Sequence, residues 1–531
     1  MTTPSLMAPR PRHSVHYPEI PFHGLLERAA DQFGEAVALL YDEERFTFRE
    51  LDGLANSLAR ALRERSIGVG DRVLLYLSNR PEWIIAAFAI QKAGASAVLI
   101  SSALRLAEVR HAVSLTAPRV AITSTDGAAV AIEAGLGEGL ILVDDPEPES
   151  DRGPTRGADF WQLIRSQPGQ RLELELDPRS CEAALCLSSG TTGLPKAVRH
   201  HHRSLLVGAL QWKMALGLGP EDRLQTFTPL SHILGIANVA AGLASGSVHR
   251  LFARFDLDEM LRSIEQDRIT LGIAVAPVAI AMADHPELES FDLSSLRYFN
   301  WCATPVTVSV AERFTERTGV PWLTAYGATE APVLTANPVE QPGRWRLDTP
   351  GIPAPDVEMR IVDLESHEPV APGESGEVIV RGPNVMLGYL PEEANADAFL
   401  PGGWYRTGDV GWMEDQGWLH LTDRVKEMIK VSGFQVAPAE IESLLLAHEA
   451  VADCAVYGVP DDVKGQIPQA AVVQVDGAQV SDQELITWVG DQLAPYKRLR
   501  AVEFVAEIPR TASGKALRRV LLERFEERVR E

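Results

Sequence analysis

An α/β fold is predicted for this chain, with a large N-terminal domain of doubly wound sheets, a small β-subdomain and a small α+β C-terminal domain. Three observations predict it. Short β-branched runs alternate with longer amphipathic stretches up to about residue 350, short strand and hairpin patterns follow, and helices mixed with strands occupy about the last hundred residues. We place the boundary of the two domains between residues 424 and 425.

The large domain is predicted from its alternating pattern. Apolar runs lie at residues 73–77, 97–100, 120–123 and 140–143, and longer amphipathic stretches separate them. Successive parallel strands need a crossover of roughly a dozen residues or more, usually a helix. The pattern therefore favours parallel sheets with helices on both faces.

The β-subdomain is predicted where this alternation stops. Residues 358–362 and 376–381 have the length and composition of short strands, and residues 411–421 surround the turn sequence Asp415-Gln416-Gly417. A turn of this type between two apolar runs predicts a hairpin.

The C-terminal domain is predicted from helix and strand patterns of mixed order. A capping box, Ser481 with Glu484, marks the start of one helix. The other predicted elements are a helix at 439–447, strands at 451–459 and 470–475, and a final helix at 516–530.

Composition and charge exclude several classes of protein. The 531 residues include 50 Lys and Arg against 73 Asp and Glu, a formal net charge of −23, whereas nucleic-acid binders need a basic surface. The 4 cysteines have no C-x-x-C spacing, which predicts reduced thiols. The first residues lack a signal-peptide pattern and no apolar run is long enough for a membrane span, so we expect a cytoplasmic protein.

A loop rich in glycine, serine and threonine follows the apolar strand end at residues 185–187. Its small residues let backbone N–H groups approach a polyanion, its hydroxyls can donate hydrogen bonds, and its lysine adds a point charge. The lysine follows Leu-Pro, so this is not a Walker loop. The predicted phosphate-binding residues are Ser188, Ser189, Gly190, Thr191, Thr192, Gly193 and Lys196.

Five further motifs follow the loop in a fixed order. They are Pro229-Leu230-Ser231-His232-Ile233-Leu234-Gly235; Tyr326-Gly327-Ala328-Thr329-Glu330; Tyr405-Arg406-Thr407-Gly408-Asp409; residues 423–442; and Pro509-Arg510-Thr511-Ala512-Ser513-Gly514-Lys515. With the loop, this series resembles the adenylate-forming superfamily, which includes acyl-CoA synthetases, aryl-CoA ligases, adenylation domains and beetle luciferases. The resemblance spans nearly the whole chain.

The resemblance implies a nucleotide site in the large domain. In this superfamily the tyrosine of the second motif stacks on adenine, its threonine hydroxyl meets the α-phosphate and its glutamate holds Mg²⁺. The aspartate of the third motif accepts both ribose hydroxyls. The residues implied for ATP and Mg²⁺ are Tyr326, Gly327, Thr329, Glu330, Asp409 and Arg424, beside the phosphate loop.

The resemblance also implies a mobile C-terminal domain. Lys515 would be the adenylation lysine, acting with Lys196 and His232, whose ring closes over the acyl carboxylate. Rotation about a hinge near Lys426 would then withdraw Lys515 and admit CoA. The residues implied for CoA are Lys430, Ser432 and Gly433.

The chain departs from the superfamily pattern at three places. The loop opens with Leu187-Ser188 where an aromatic residue and threonine are common, and Ala197 follows the lysine where glycine is usual. If glycine's conformation were needed at Ala197, the methyl group would cost about 1 kcal/mol. Asn300-Trp301-Cys302-Ala303-Thr304-Pro305 replaces a turn rich in glycine and alanine. Trp301 either shapes the acyl pocket, crowds the nucleotide or is a packing variant.

The predicted substrate is a hydrophobic carboxylic acid. Residues 233–245 carry no carboxylate to pair with a substrate ammonium, which disfavours amino acids. The residues assigned to the acyl pocket are His232, Gly235, Trp301 and Ala303.

The leading hypothesis is an ATP-, Mg²⁺- and CoA-dependent acyl-CoA ligase. The alternatives are acyl transfer to a carrier protein, thioester formation alone from a preformed acyl-AMP because Ala197 and Trp301 impair adenylation, and a non-catalytic protein that binds acyl or nucleotide ligands. Oxygen-dependent luminescence is a further alternative that no residue demands. The sequence is compatible with a homodimer.

Overall fold

The computed structural model describes residues 15–137, 139–144, 157–188, 195–431, 434–461, 464–510 and 516–530. Its helices are α1 Gly24–Phe33, α2 Phe48–Glu64, α3 Pro81–Lys92, α4 Leu106–Thr116, α5 Thr125–Ala131, α6 Phe160–Arg165, α7 His202–Ala215, α8 Ile233–Ser245, α9 Leu257–Asp267, α10 Ala276–Ala283, α11 Val308–Thr318, α12 Pro438–Leu446, α13 Asp482–Gly490 and α14 Arg518–Arg530.

The strands of the first two sheets come from the first 390 residues or so. They are β1 Val37–Tyr41, β2 Glu44–Thr47, β3 Arg72–Leu77, β4 Ser96–Ser101, β5 Val120–Thr123, β6 Leu140–Leu142, β7 Ala158–Asp159, β8 Glu182–Ser188, β9 Lys196–His201, β10 Arg223–Thr226, β11 Val248–Leu251, β12 Leu271–Ala274, β13 Tyr298–Trp301, β14 Trp322–Ala328, β15 Ala331–Ala336, β16 Ile352–Pro353 and, after the first strands of the next sheet, β19 Gly388–Leu390.

The remaining strands build the β-subdomain and the C-terminal sheet. They are β17 Glu358–Val362, β18 Gly376–Arg381, β20 Phe399–Leu400, β21 Trp404–Met413 and β22 Leu419–Arg424, followed by β23 Ile429–Val431, β24 Phe434–Val436, β25 Val451–Asp461, β26 Gly465–Gln474 and β27 Ala501–Phe504.

Two large sheets form the N-terminal part of the chain. One has the strand order β19-β9-β8-β4-β3-β5-β6-β7 and the other β16-β15-β14-β13-β12-β10-β11-β1-β2. Their central strands are parallel, and antiparallel strands close one end of the first sheet and both ends of the second. The predicted fold class is confirmed, with mixed rather than purely parallel sheets.

Largely buried helices connect the two sheets. Every residue of α3 is buried, as are most residues of α8, and α7 contacts strands of both sheets. Apolar residues of α3, α7 and α8 belong to one buried cluster with strands of both sheets, so these helices form the shared core. Within the described residues, no helix combines the length and the hydropathy required to cross a bilayer.

The β-subdomain and the C-terminal sheet follow in chain order. Strands β17, β18, β21 and β20 pair antiparallel, with β22 on β21, and β24-β23-β26-β25 form the last sheet with β27 parallel to β26. The helix start predicted at Ser481 is present, because its side chain accepts the Glu484 N–H and Glu484 accepts the Ser481 N–H in return. The proposed boundary at residues 424 and 425 coincides with the end of β22 and stays a prediction.

Candidate active site

The Tyr326-to-Glu330 motif forms the tip of a hairpin. Strands β14 and β15 pair through Ala328 and Ala331, so Thr329 and Glu330 make the two-residue turn. Gly327 lies at a bulge in this pairing, where an added Cβ would lie 2.0 Å from the Pro332 carbonyl oxygen. Only glycine permits this close approach. The motif therefore has a structural glycine beside two polar turn residues.

Asp409 accepts hydrogen bonds from two neighbouring side chains. The Tyr326 hydroxyl donates to one carboxylate oxygen, and Arg424 Nε donates to the other at 2.8 Å. Burial and Asp409 raise the pKa of Tyr326 well above 10, so the phenol stays a neutral donor. Each carboxylate oxygen has about two lone pairs. Both oxygens of Asp409 therefore retain capacity for a further donor, as a ribose diol would require.

The backbone around Asp409 is held by the β-subdomain. Gly408 adopts a left-handed φ of 71°, and Thr407 donates its hydroxyl to the Val378 carbonyl at 2.7 Å. The almost fully buried carboxylate of Glu377 pairs with Arg406 at 2.7 Å. These contacts between β18 and β21 explain the conformation of the third motif.

A second cluster surrounds Glu330. Tyr389 donates its hydroxyl to Glu330 Oε1 at 2.7 Å and lies 3.1 Å from the Tyr405 hydroxyl. The ammonium of Lys196 lies over the Tyr389 ring, 4.9 Å from its centroid, within the range of a cation–π interaction. The side chain of Tyr389 therefore contacts both the lysine of the loop and the carboxylate of the turn. Sequence reasoning missed this residue, because a single tyrosine has no distinguishing pattern.

The two described ends of the phosphate loop face each other across a hairpin. Ser188 pairs with Lys196 where β8 meets β9, and the Ser188 hydroxyl donates to the Lys196 carbonyl at 3.3 Å. His111 Nε2 lies 2.8 Å from the Pro195 carbonyl oxygen. The described residues at both ends of the predicted loop are therefore held at the β8–β9 hairpin, next to the edge strand β19 of the eight-stranded sheet.

The penalty expected at Ala197 does not arise. Ala197 is fully buried in β9, where it pairs with Leu187 and with Leu390 of β19, and its φ is not positive. Extended backbone is open to any L-residue. The departure from glycine therefore gives no structural reason for impaired adenylation.

His232 caps the first turn of α8. Its Nδ1 accepts the Leu234 N–H at 3.2 Å, so a neutral ring carries its proton on Nε2. The loop before it is fixed by buried Asn79, whose amide accepts the Leu230 N–H at 2.8 Å and donates to the Thr228 carbonyl at 3.0 Å. Sequence reasoning missed Asn79, which lies in a distant part of the chain.

Gly235 lets α8 pack closely on the preceding loop. A Cβ at this position would lie 2.2 Å from the Pro229 carbonyl oxygen. The structure thus shows a close approach of Gly235 to the backbone of the preceding loop, which any side chain would block. Its assignment to the acyl pocket stays a prediction.

Replacing Gly235 by alanine is expected to lower the free energy of unfolding by about 1–3 kcal/mol, the usual cost of overpacking a core. Gly53→Ala is the matched control, because Gly53 lies in α2 with no atom within 4 Å of the added Cβ. Chemical denaturation of each variant measures its free energy of unfolding. Equal stability of the two would contradict the packing role of Gly235.

Trp301 lies in the core under the nine-stranded sheet. Its side chain has no exposed surface, and its ring centroid is 5.3 Å from that of Trp322. Trp301 Nε1 donates to the Thr304 hydroxyl at 3.1 Å, and Thr304 also accepts the Ala276 N–H at 2.8 Å. Ala303 between them has a left-handed φ of 63°. This placement favours the packing interpretation, and the acyl-pocket roles of Trp301 and Ala303 stay predictions.

Several predicted residues lie outside the described residues. They are Ser189, Gly190, Thr191, Thr192, Gly193, Ser432, Gly433 and Lys515. Lys426 and Lys430 are described and have exposed side chains. The roles of these residues stay predictions from the resemblance.

Comparison with known proteins identifies the family. Residues 26–390 match the family described as AMP-binding enzyme, and residues 440–515 match the AMP-binding enzyme C-terminal domain. The chain is 34% identical over 501 residues to a 4-coumarate–CoA ligase from Oryza sativa subsp. japonica, covering 90% of this chain and 87% of the relative.

Two further relatives broaden the comparison. A 3-[(3aS,4S,7aS)-7a-methyl-1,5-dioxo-octahydro-1H-inden-4-yl]propanoyl:CoA ligase from Rhodococcus jostii (strain RHA1) is 31% identical over 514 residues, covering 94% of this chain and 97% of the relative. The crystal structure of the anthranilate CoA ligase AuaEII with anthranoyl-AMP superposes with a TM-score of 0.88 at 27% identity, covering 97% and 99% of the two chains.

These matches confirm the predicted superfamily and the predicted class of enzyme, an AMP-forming acyl-CoA synthetase. Both family matches together cover most of the chain, and the described motifs lie within or between them. The chain therefore belongs to the AMP-binding enzyme family of the adenylate-forming superfamily.

Proposed function

We propose that this chain joins a hydrophobic carboxylic acid to CoA in two steps, through an acyl-adenylate formed from ATP. The observation that carries the proposal is that the cluster around Asp409 lies close to the cluster around Glu330. The Tyr405 hydroxyl lies 3.1 Å from the Tyr389 hydroxyl. Burial raises the pKa of Tyr405 well above 10, and the nearby Glu330 and Asp409 carboxylates raise it further. The proposed ribose acceptor, Asp409, and the proposed metal ligand, Glu330, therefore both lie near one buried tyrosine.

The residues present fit Mg²⁺ held mainly by the nucleotide. Glu330 uses one carboxylate oxygen to accept the Tyr389 hydroxyl. Over the described residues, no group of three or more His, Cys, Asp or Glu side chains could form a metal site. Mg²⁺ commonly uses one or two carboxylates together with substrate phosphates and water. Glu330 would be the protein ligand, and the ion would neutralise phosphate charge.

The first step needs positive charge around the reacting oxygens. The acyl carboxylate attacks the α-phosphorus of ATP in line as pyrophosphate departs, and both reactants are anionic. Lys196 lies at the described end of the phosphate loop, beside the turn that carries Glu330. Lys515 would supply the charge between the carboxylate and the α-phosphoryl group.

The second step would use a different orientation of the C-terminal domain. The thiol of CoA attacks the acyl carbon and AMP leaves, so the adenylation lysine has to make room. In the described structure, the Ala439 N–H at the start of α12 donates to the Asp423 carboxylate at 2.9 Å. Asp423 lies three residues before Lys426, which we propose as the hinge. Burial raises the pKa of Asp423.

A hydrophobic acid is supported by the composition of α8. No residue of Ile233–Ser245 carries a charge, and the one amide in the helix, Asn238, accepts the Trp212 indole N–H at 2.6 Å in the core. An ammonium on the substrate would find no carboxylate to pair with on this helix. The relatives are named for aromatic and alicyclic acids, which supports the same class.

The deciding experiment is a panel of aromatic, alicyclic and medium-chain acids incubated with ATP, Mg²⁺ and CoA. We expect AMP, pyrophosphate and an acyl-CoA thioester in equal amounts with at least one acid. Synthetic acyl-adenylates run beside the acids detect an enzyme that retains only the second step. Thioester from the adenylates without any pyrophosphate exchange would replace our proposal by that alternative.

Two further points belong to the proposal. A holo carrier protein in place of CoA tests the alternative acceptor, and the acidic net charge disfavours an acidic carrier.

We also propose a cytoplasmic location. The homodimer stays a prediction, which sedimentation analysis can test.

A further inference from the structure

A buried histidine connects the phosphate-loop strand to the Thr329–Glu330 turn. His200 lies on β9, four residues after Lys196, and its side chain has no exposed surface. Its Nε2 lies 2.7 Å from the carbonyl oxygen of Thr329, which is 129 residues away in sequence. On the other side of the ring, Nδ1 lies 3.1 Å from the hydroxyl of Ser204 in the first turn of α7.

The protonation of His200 follows from its surroundings. Burial lowers the pKa of His200 to about 4, so the ring is neutral near pH 7 and carries one N–H. A carbonyl oxygen can only accept, which places that proton on Nε2. His200 is therefore a fixed hydrogen-bond donor aimed at the turn, with Nδ1 as an acceptor facing Ser204.

Two further contacts within the described residues hold the turn. The Met386 N–H donates to the Glu330 carbonyl at 2.8 Å, and Tyr389 holds the Glu330 carboxylate at 2.7 Å. Among the described residues, His200 is the one whose side chain holds the Thr329 carbonyl. Because the turn has only two residues, a shift of that carbonyl moves the Thr329 hydroxyl and the Glu330 carboxylate together.

We propose that His200 is a positioning residue for the magnesium–nucleotide complex: its Nε2–H fixes the Thr329–Glu330 turn relative to the strand that carries Lys196. This inference rests on the proposed function, since it assigns the turn to the metal and the α-phosphate. His200 itself touches neither ligand.

The test compares three substitutions at one position. His200→Leu removes the donor. A glutamine amide nitrogen reaches about as far as Nε2 of the ring, whereas an asparagine amide ends near Nδ1, so His200→Gln keeps the donor to Thr329 and His200→Asn loses it. Loss of one such buried hydrogen bond corresponds to a roughly tenfold change in affinity. We expect His200→Leu and His200→Asn to bind MgATP about tenfold more weakly, and His200→Gln within about threefold of the unmodified protein.

Titration calorimetry with MgATP and with adenosine provides the readout. Adenosine binding depends on the part of the site formed by Tyr326 and Asp409. We expect all variants to bind adenosine with the same affinity. His249→Leu is the matched control: His249 is buried, its pKa is also lowered to about 4, and its Nδ1 lies 3.1 Å from the Thr226 hydroxyl, away from the turn. We expect it to lose stability but to keep its affinity for MgATP.

The binding results distinguish failure of the positioning role of His200 from failure of the proposed function. Equal MgATP affinity of His200→Asn and His200→Gln would overturn the positioning role, and this pair decides the question even if His200→Leu does not fold. Parallel loss of MgATP and adenosine binding would overturn it too. If the unmodified protein fails to bind MgATP, the proposed function fails and the inference with it.

Discussion

Replacing Lys515 by alanine is expected to abolish ATP–pyrophosphate exchange while largely sparing thioester formation from a synthetic acyl-adenylate. In the first step, negative charge accumulates between the acyl carboxylate and the α-phosphoryl oxygens. Removing one group that stabilises such charge typically costs about 2.7–4 kcal/mol, or roughly 10²–10³ in rate. In the second step, the mixed anhydride already exists and this charge is no longer needed at the same place.

The described residues on both sides of the segment that contains Lys515 have contacts of their own. Arg510 and Ala516 form an antiparallel bridge, and Arg510 pairs with Asp453 at 2.6 Å. The base of the loop is thus closed by contacts that do not use the lysine.

Lys497→Ala provides the matched control, because it removes a lysine from the same domain. The ammonium of Lys497 is paired with Glu440 at 2.7 Å, and we expect unchanged exchange. Gly433→Trp should show the opposite defect to Lys515→Ala, with exchange retained and thioester formation lost. Equal loss of both half-reactions in Lys515→Ala would contradict the rotation of the domain.

Replacing Glu330 by glutamine is expected to reduce pyrophosphate exchange on the order of a hundredfold and to raise the Mg²⁺ concentration needed for half-maximal exchange. An amide oxygen lacks the charge that makes a carboxylate a good ligand for this hard cation. The side chain should keep its place, since an amide oxygen can still accept the Tyr389 hydroxyl.

Exchange measured over a series of free Mg²⁺ concentrations checks this expectation. Glu392→Gln is the control, because the Glu392 side chain is 79% exposed and lies 3.8 Å from Arg199, outside both clusters. A Glu330→Gln variant with the Mg²⁺ dependence of the unmodified protein would remove Glu330 from the metal site.

Much of the fold could be predicted from local patterns. The strands predicted at residues 120–123, 358–362 and 376–381 agree with β5, β17 and β18. The capping box at Ser481 also agrees, because it depends on residues only three apart. Antiparallel closure of the large sheets was not predicted, since strand pairing is decided by distant parts of the chain.

In the candidate site, too, residues within local motifs could be predicted, whereas residues that act through contacts between distant parts of the chain could not. Motif residues such as Asp409 and Glu330 could be selected from the sequence, because their types and spacings are distinctive. Tyr389, Asn79 and His200 could not, because each acts through contacts with residues that are remote in sequence.

The sequence by itself determined the alternating α/β pattern and the six motifs, because periodicity and motif spacing are properties of neighbouring residues. The class of enzyme followed from the resemblance of those motifs to a known superfamily. Only the tertiary structure decided that Ala197 needs no glycine conformation and that Trp301 is buried against Trp322. It also decided that one tyrosine links Lys196 to Glu330. These facts depend on which distant segments pack together, and packing in three dimensions leaves no periodic trace along the chain.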